Sequence, residues 1–159
     1  EPQRAEKIAF SAAYVEIEST YLVPPGSPLK TIADVDAKGV RIVSTARAAY
    51  DLWLERNIKN AELLRVNSMD EAFAKFTGEK LEALAGLKPR LLADLEKLPG
   101  GRIIDGQFAA VQQAIGTARA NTAGAAFIAQ FVEEAKASGF VASLIEKHKV
   151  IGLSVAPKA

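Results

Sequence analysis

The sequence predicts an α/β fold, a mostly parallel sheet flanked by helices, and three observations carry that reading. Short β-branched runs alternate with amphipathic stretches of about ten residues, the pattern of βαβ units joined by right-handed crossovers. Prolines, glycines and capping hydroxyls stand between the runs and punctuate them. The bulk composition agrees, because 159 residues that are 49% hydrophobic and 25% charged, with a formal charge of +1, make one or two small globular domains with a real core.

Taken in order, KIAFSAAY and EIESTYLVP read as two extended stretches around a polar bend, rich in the Val, Ile, Tyr and Phe that favour strands. Pro24-Pro25-Gly26-Ser27-Pro28 then breaks the chain, since prolines lack an N–H donor and keep the preceding residue extended. TIADVDAKG gives a turn or two of helix, capped by Thr31 and ended by Gly39. Val40 to Val43 is a short strand. From Ala46 to Ile58, Tyr50, Leu54 and Ile58 recur at helical spacing beside Trp53 and define one buried helix face.

The alternation repeats. Glu62 to Val66 is a strand, Ser68 to Phe76 a helix in which Ser68 and Glu71 have capping-box spacing, and Leu81 to Ala85 another strand. Lys88 to Leu98 is a helix with Pro89 in its first turn, closed by Pro99-Gly100-Gly101. Phe108 to Gly116 reads as a half-polar return strand. Thr122 to Lys149 is helical, with Phe127, Ile128, Phe131, Val132 and Ala135 in one apolar stripe, and Gly139 separating a second helix that carries Val141, Leu144 and Ile145. The closing GLSVAPKA has no periodicity and is expected to fray.

Several functions are excluded by what the chain lacks. Twenty basic and nineteen acidic side chains are interleaved, so no basic stripe offers itself to a phosphate backbone and no nucleic-acid partner is expected. Cysteine is absent, which removes disulfides, thiolate nucleophiles and Cys-based zinc sites. The single histidine, His148, stands among Lys and Glu near the C-terminus and reads as a solvated residue. There is no Ser-His-Asp arrangement, HExxH, Walker loop or GxGxxG, so neither an enzyme nor a cofactor is expected. No apolar run is long enough for a membrane helix, and EPQRAEKIAF is not a signal peptide.

Four phrases fall in a familiar order. KIAFSAAY is similar to a phrase ending in Phe-Ser-x-Pro-Tyr; TIADVDAKGVRIV is similar to an entry into a second lobe. EAFAKFTGEKLEALAG is similar to a helix leading into a Gly-x-x-Asp-Ala strand, and AGAAFIAQFVEEAKASGFVASLIEKH to a pair of closing helices. In that order the chain resembles the type II periplasmic binding proteins, the extracellular solute-binding proteins of amino-acid-type ABC transporters (family 3). The resemblance implies a ligand held between two lobes joined by crossing strands. It divides the chain into a strand of the first lobe and hinge (1–27), the second α/β lobe (28–107), a return hinge strand (108–118) and C-terminal helices of the first lobe (119–159). Roughly the first 100 residues of a typical member have no counterpart here, taking lobe size as a guide.

The same resemblance nominates the binding residues. The corner after the second lobe's first strand, where the family has Gly-Ser or Gly-Thr, reads Ser44-Thr45-Ala46-Arg47-Ala48: an anion-binding corner, with Arg47 adding a bidentate contact, or an ordinary α/β connection with Arg47 exposed. The aspartate that receives a ligand ammonium in the family is replaced by Gly86 or Leu87, which turns the expectation from amino acids toward an anionic or uncharged solute. Lys88 and Arg90 face the cleft in that case, or are solvated residues at a helix start. Tyr14 falls on the aromatic of the first phrase, after Ala13 where the family has Pro, and is a candidate for the hinge or for stacking on the solute. Trp53 belongs to the core by its helical spacing, and Gln112 or Gln113 lines the hinge or is exposed by strand alternation.

The expected function is therefore solute capture for an ABC importer, with a small-molecule solute and a transporter permease as partners. The expected location is periplasmic, the signal peptide not being part of this chain. The alternatives are a ligand-sensing domain of a receptor or regulator and a dehydratase-like enzyme on the same fold, the latter needing an acid/base pair. The Phe127/Phe131/Val132 stripe and the KIAF strand lack the sheet they pack on in the family. They are expected to pack on each other, or to make a homodimer through exchanged or exposed first-lobe elements.

Overall fold

The computed structural model describes residues 2–159. The elements in order are α1 (Pro2–Ala5), β1 (Ile8–Val23), α2 (Ile32–Val35), β2 (Arg41–Thr45), α3 (Ala49–Asn57), β3 (Glu62–Val66) and α4 (Met69–Gly78). There follow β4 (Ala83–Leu87), α5 (Lys88–Leu95), β5 (Arg102–Ile103), β6 (Ala109–Ala118), α6 (Thr122–Ala137), α7 (Phe140–Lys147) and β7 (Leu153–Val155). The chain folds as two compact units, one of residues 18–111 and one of residues 1–17 with 112–159.

In the first of these, the strand order is β3-β2-β4-β1-β5. β2 runs parallel to both β3 and β4, and β1 lies antiparallel to β4 with Tyr21 opposite Ala85. The α/β class expected from the alternation is present, with the expected parallel pairing at β2, β3 and β4, while β1 pairs antiparallel with β4 and β5. Both faces are covered, so the central strands read as near-continuous apolar runs. On one face Tyr21, Val23, Ile42, Ala83 and Ala85 meet Tyr50 and Leu54 of α3, with Trp53 packed against them and Phe108 at 4.6 Å from the Tyr21 ring. On the other, Leu22, Val43 and Leu84 meet Ala72 and Phe76 of α4 and Leu91 of α5. Burial pushes the Tyr21 hydroxyl far above the usual tyrosine range, with the Asp36 charge acting in the same sense.

Local rules placed most of these elements. Thr31 caps α2 and Asp34 answers it with hydrogen bonds from the Lys30 and Thr31 N–H groups, a full capping box. Asp36 accepts the N–H groups of Asn60 at 2.7 Å and Ala61 at 2.9 Å, which fixes the approach to β3. Arg41 grips Glu82 with two nitrogens at 2.8 and 2.7 Å where β2 and β4 begin. β4 runs two residues later than the apolar run alone indicates, because Leu81, fully buried, still belongs to the turn and donates its N–H to Phe76 O.

The second unit contains the N-terminal half of β1, most of β6, α6, α7 and β7. Two readings of the sequence need correction here. β1 is a single strand with no bend, since Glu16 and Glu18 simply alternate with Val15 and Ile17 and no glycine or proline interrupts them before Pro24. GLSVAPKA does not fray: Leu153–Val155 pairs antiparallel with Ile17, Glu16 and Val15, a main-chain ladder that side-chain periodicity does not announce. Gly139 separates α6 from α7 as expected, at φ 77°, a left-handed conformation that costs glycine little. Val132 and Val141 are buried, but Phe127 is 69% exposed, and Phe131, Phe140 and Leu144 are exposed beside it. Of the two packings expected for this stripe, the one within the chain is thus only partial. Phe131, Val132, Phe140, Val141 and Leu144 line an apolar groove of about 670 Å³ that also takes in Tyr14, Val15, Ile17 and Gln113, while Phe127 stacks on Phe131 with ring centroids 6.2 Å apart.

Candidate functional site

Parallel strands β2, β3 and β4 end at one edge of the first unit, where open α/β sheets collect their ligands. Three corners make that edge. At the first, between β2 and α3, Ala46 donates its N–H to Val66 O at 2.8 Å and Ala48 donates to Thr45 O at 3.3 Å. Arg47 lies between them with φ 66°, a left-handed backbone that a side chain makes unfavourable by roughly 1–2 kcal/mol. Its N–H goes to Asp51 Oδ2 at 2.9 Å. The Arg47 guanidinium is exposed and makes no hydrogen bond or ion pair among the described residues.

Asp51 is fully buried, at 0% exposure. Arg65, reaching across from β3, holds it through Nε at 3.1 Å to each carboxylate oxygen and through a further short contact from Nη2. Arg65 Nη1 also binds Glu55 at 2.9 Å. The N-cap residue Ala48 offers no side-chain hydrogen bond to the first turn, and Asp51 instead accepts the N–H of Arg47, the residue before the cap. Beneath the turn, Tyr50 is buried, which raises its hydroxyl above the usual range against the opposing influence of Thr45. Ser44 Oγ and Thr45 Oγ1 are buried without a hydrogen-bond partner.

The second corner joins β3 to α4. Ser68 Oγ accepts the Glu71 N–H at 3.1 Å, and exposed Glu71 accepts the Asn67 N–H at 3.0 Å. At the third, β4 passes directly into α5. A Cβ on buried Gly86 would stand 3.0 Å from Leu91, so that position faces the neighbouring helix, while Leu87 packs on the sheet's other face. Lys88 Nζ is taken by Glu18 at 2.6 Å. Arg90 bridges Asp70 at 2.6 Å and Asp94 at 3.0 Å, and holds the Asp70 carboxyl below its usual range. Between the corners lies a cavity of about 10 Å³ lined by Thr45, Tyr50, Gly86 and Arg90, room for about one water at most.

Structural comparison sets this arrangement beside known proteins. A mutant ArgBP from T. maritima matches at a TM-score of 0.72 with 23% identity, over 92% of this chain and 64% of that one. The solute receptor for L-cysteine of Neisseria gonorrhoeae matches at 0.76 and 20% identity, over 96% of this chain and 62% of that one. The cysteine-binding protein of Campylobacter jejuni matches at 0.73 and 20% identity, over 92% and 59%. The fold is that of the amino-acid ABC transporter substrate-binding proteins. No protein-family model matches the chain, and no curated protein does. The three structures are binding proteins and a receptor rather than enzymes, and this chain spans less than two thirds of the length of each.

Set on that substrate-binding-protein fold, the sequence candidates fall in two places. Thr45, Ala46, Arg47, Ala48, Gly86 and Lys88 all lie at the edge just described. Tyr14 lies in the other unit, in the groove beside α6 and α7 with half-buried Gln113; Gln112 is exposed and donates to Glu16 at 2.9 Å. Trp53 is partly buried against the core, 5.2 Å from the Phe108 ring. Asp51 and Arg65 escaped the sequence reading. The spacing of Asp51 from its corner matches that of Glu71 from the next, a usable signal; its pairing with Arg65 needs the parallel register of β2 on β3 and has no local trace.

Proposed function

We propose that the chain is the solute-binding part of an ABC import system and that the edge formed by β2, β3 and β4 holds a small polar or anionic solute. One observation carries this: among the described residues of the edge, every other arginine, lysine and aspartate named above is paired, and the Arg47 guanidinium is not. A free guanidinium presents a planar fork that suits a carboxylate or phosphate. An α-ammonium group would find the aspartates of the edge already held, since Asp51 holds Arg65, Asp70 and Asp94 hold Arg90, and Glu18 holds Lys88, which leaves the exposed Glu71 of the second corner as the acid without a cation. The neighbours' arginine and cysteine are accordingly less favoured here than an acid, because an ammonium buried away from Glu71 would lack a charged partner.

Import requires a permease and a periplasmic setting, and both belong to the proposal. Among the described residues no helix is long and apolar enough to cross a membrane. The chemistry is binding, with nothing at the edge arranged as an acid/base pair. A thermal-shift screen with arginine, cysteine, dicarboxylates, sugar acids and neutral sugars tests the reading. Dicarboxylates or sugar acids should stabilise the protein, by about 2.7 kcal/mol at a hundredfold excess over Kd. Stabilisation by arginine or cysteine with no response to the acids would contradict it.

We further infer that a second copy covers the apolar face of α6 and α7, by docking or by exchange of elements. The fifteen residues of the groove, with exposed Phe127 stacked on Phe131, approach the number each partner contributes to a small stable interface, roughly 20. Light scattering should give twice the chain mass, falling to one chain mass for Phe127→Ser/Phe131→Ser. A wild-type monomer at high concentration removes the inference.

A further inference from the structure

The outermost strands of the sheet differ in how they are guarded. An edge strand offers unpaired N–H and C=O groups to any other chain, and folded proteins blunt such edges by shortness, charge or proline. Among the described residues the edge strands are β3, β5, β6 and β7. β5 has two residues and β7 three, while β3 carries Glu62 and Arg65 within its five. β6 follows none of these rules. It runs for ten residues, pairs with β1 alone, and contains no acid, base or proline.

The open side of β6 follows from its bound side. Ile115 donates its N–H to Ser11 Oγ at 3.1 Å and Arg119 donates to Lys7 O at 2.9 Å, both toward β1. Alternation along a strand then turns the N–H groups of Gly116 and Ala118 away from β1. Gln113 and Ile115 of the same strand line the apolar groove, so the open edge is continuous with the face assigned above to a second copy. We propose that β6 is where two copies join, residues 112–118 of one strand pairing antiparallel with the same residues of the other about a two-fold axis. Self-pairing sets each residue opposite one from its own strand, so a charge there would meet its like, and β6 has none. One such contact closes the open edge of both molecules at once, the self-complementary arrangement of a two-fold dimer. The axis stands perpendicular to the joint sheet, so the α6 and α7 layers of both copies lie on one side of it. The inference rests on the second-copy reading of the α6–α7 face, and it adds the strand and the main-chain atoms that make the join.

The test is amide hydrogen exchange resolved to single residues, at concentrations below and above the dimer transition found by light scattering. It uses the wild type, Ala114→Lys, Ala114→Glu and an equal mixture of the two variants. In the wild type, the amides of Gly116 and Ala118 should exchange at least about tenfold more slowly in the dimer, while those of Ile115 and Arg119, bonded within the chain throughout, stay unchanged. A charge at position 114, beside the midpoint of the paired segment, should weaken the dimer at least about tenfold in either variant alone. The mixture should recover it, because lysine then meets glutamate. A dimer without added protection at 116 and 118 would overturn the β6 join and leave the α6–α7 contact standing, as would two variants that dimerise like the wild type. Protection confined to Phe10 and Ala12, on the side of β1 that β7 does not reach, would overturn it in the same way. A wild type that stays monomeric at high concentration removes both readings. Should the variants not fold, the wild-type exchange pattern still decides the matter.

Discussion

The two neighbouring corners that start α3 and α4 face the same problem with different means. At the β3–α4 corner, Ser68 accepts the Glu71 N–H of the first turn and exposed Glu71 accepts the Asn67 N–H before the cap, and no backbone residue takes positive φ. At the β2–α3 corner, Ala48 gives no cap, Arg47 sits in a left-handed conformation, and the satisfying acid is buried under an arginine from the next strand. The first arrangement is what a helix start needs. The second adds local strain and a desolvated charge, and such departures from local preference collect where a surface has another task. The difference teaches that two helix starts on one edge satisfy the amide before the cap in unlike ways, one with an exposed acid and the other with a buried acid paired to an arginine of the next strand.

The largest expected effect separates the two acids. Asp51→Ala leaves Arg65 without its buried partner and should destabilise the protein by about 3 kcal/mol, less than a wholly buried pair would lose because Arg65 is itself partly exposed. Glu71→Ala should cost at most about 1 kcal/mol, and urea unfolding distinguishes the two. Equal losses would mean that both acids are simple caps.

Capping itself sharpens the contrast next. Ser68→Ala should lose about 1 kcal/mol, whereas Ala48→Ser, at an extended residue ready to cap, should gain roughly 0.5–1 kcal/mol. No gain at position 48 would show that a hydroxyl there does not reach the N–H groups of Tyr50 and Asp51. The backbone comes third. Arg47→Gly relieves the left-handed strain and should leave stability unchanged or raise it by about 0.5 kcal/mol, after the entropy lost by glycine on folding. Asn67→Gly at the other corner should lower it by a similar amount.

Much of this was legible in the sequence. Tyr50 and Leu54 announced α3, Ser68 the cap of α4, Pro89 the first turn of α5 and Gly139 the break between α6 and α7, because each acts through its own chain neighbours. What local rules could not show was built by distant partners. β7 exists because Ile17 and Val15 offer a ladder to it, and β5 because Leu22 and Val23 do. Arg47 was visible as a candidate, but the reason its own amide is closed lies in an aspartate four residues on and an arginine from a different strand. The exposure of Phe127 and Phe131 likewise depends on what else is present to cover them, which composition does not specify.

The smallest effect serves as a control away from both corners. Arg41, hydrogen-bonded to Glu82 at the opposite end of β2, holds that carboxyl below the usual glutamate range. A depressed pKa means that the pair's contribution is complete above the unfolded value, about 4.3, and is lost as pH falls through the folded value. Glu82→Gln should therefore lack part of the wild type's loss of stability below about pH 4.3, and show no altered pH dependence between about pH 5 and 8. Measured by urea unfolding across pH, this should leave the binding behaviour of the corners untouched.

The central claim is that the free guanidinium of Arg47 holds the solute's anionic group. Isothermal titration of the best acid from the thermal-shift screen into the wild type and into Arg47→Gln tests it most directly, with Asn67→Gln as the matching change at the other corner. The account predicts that Arg47→Gln weakens binding by about tenfold or more, as expected for a lost charge-assisted bond, while Asn67→Gln changes it little. Undiminished binding by a folded Arg47→Gln would contradict it.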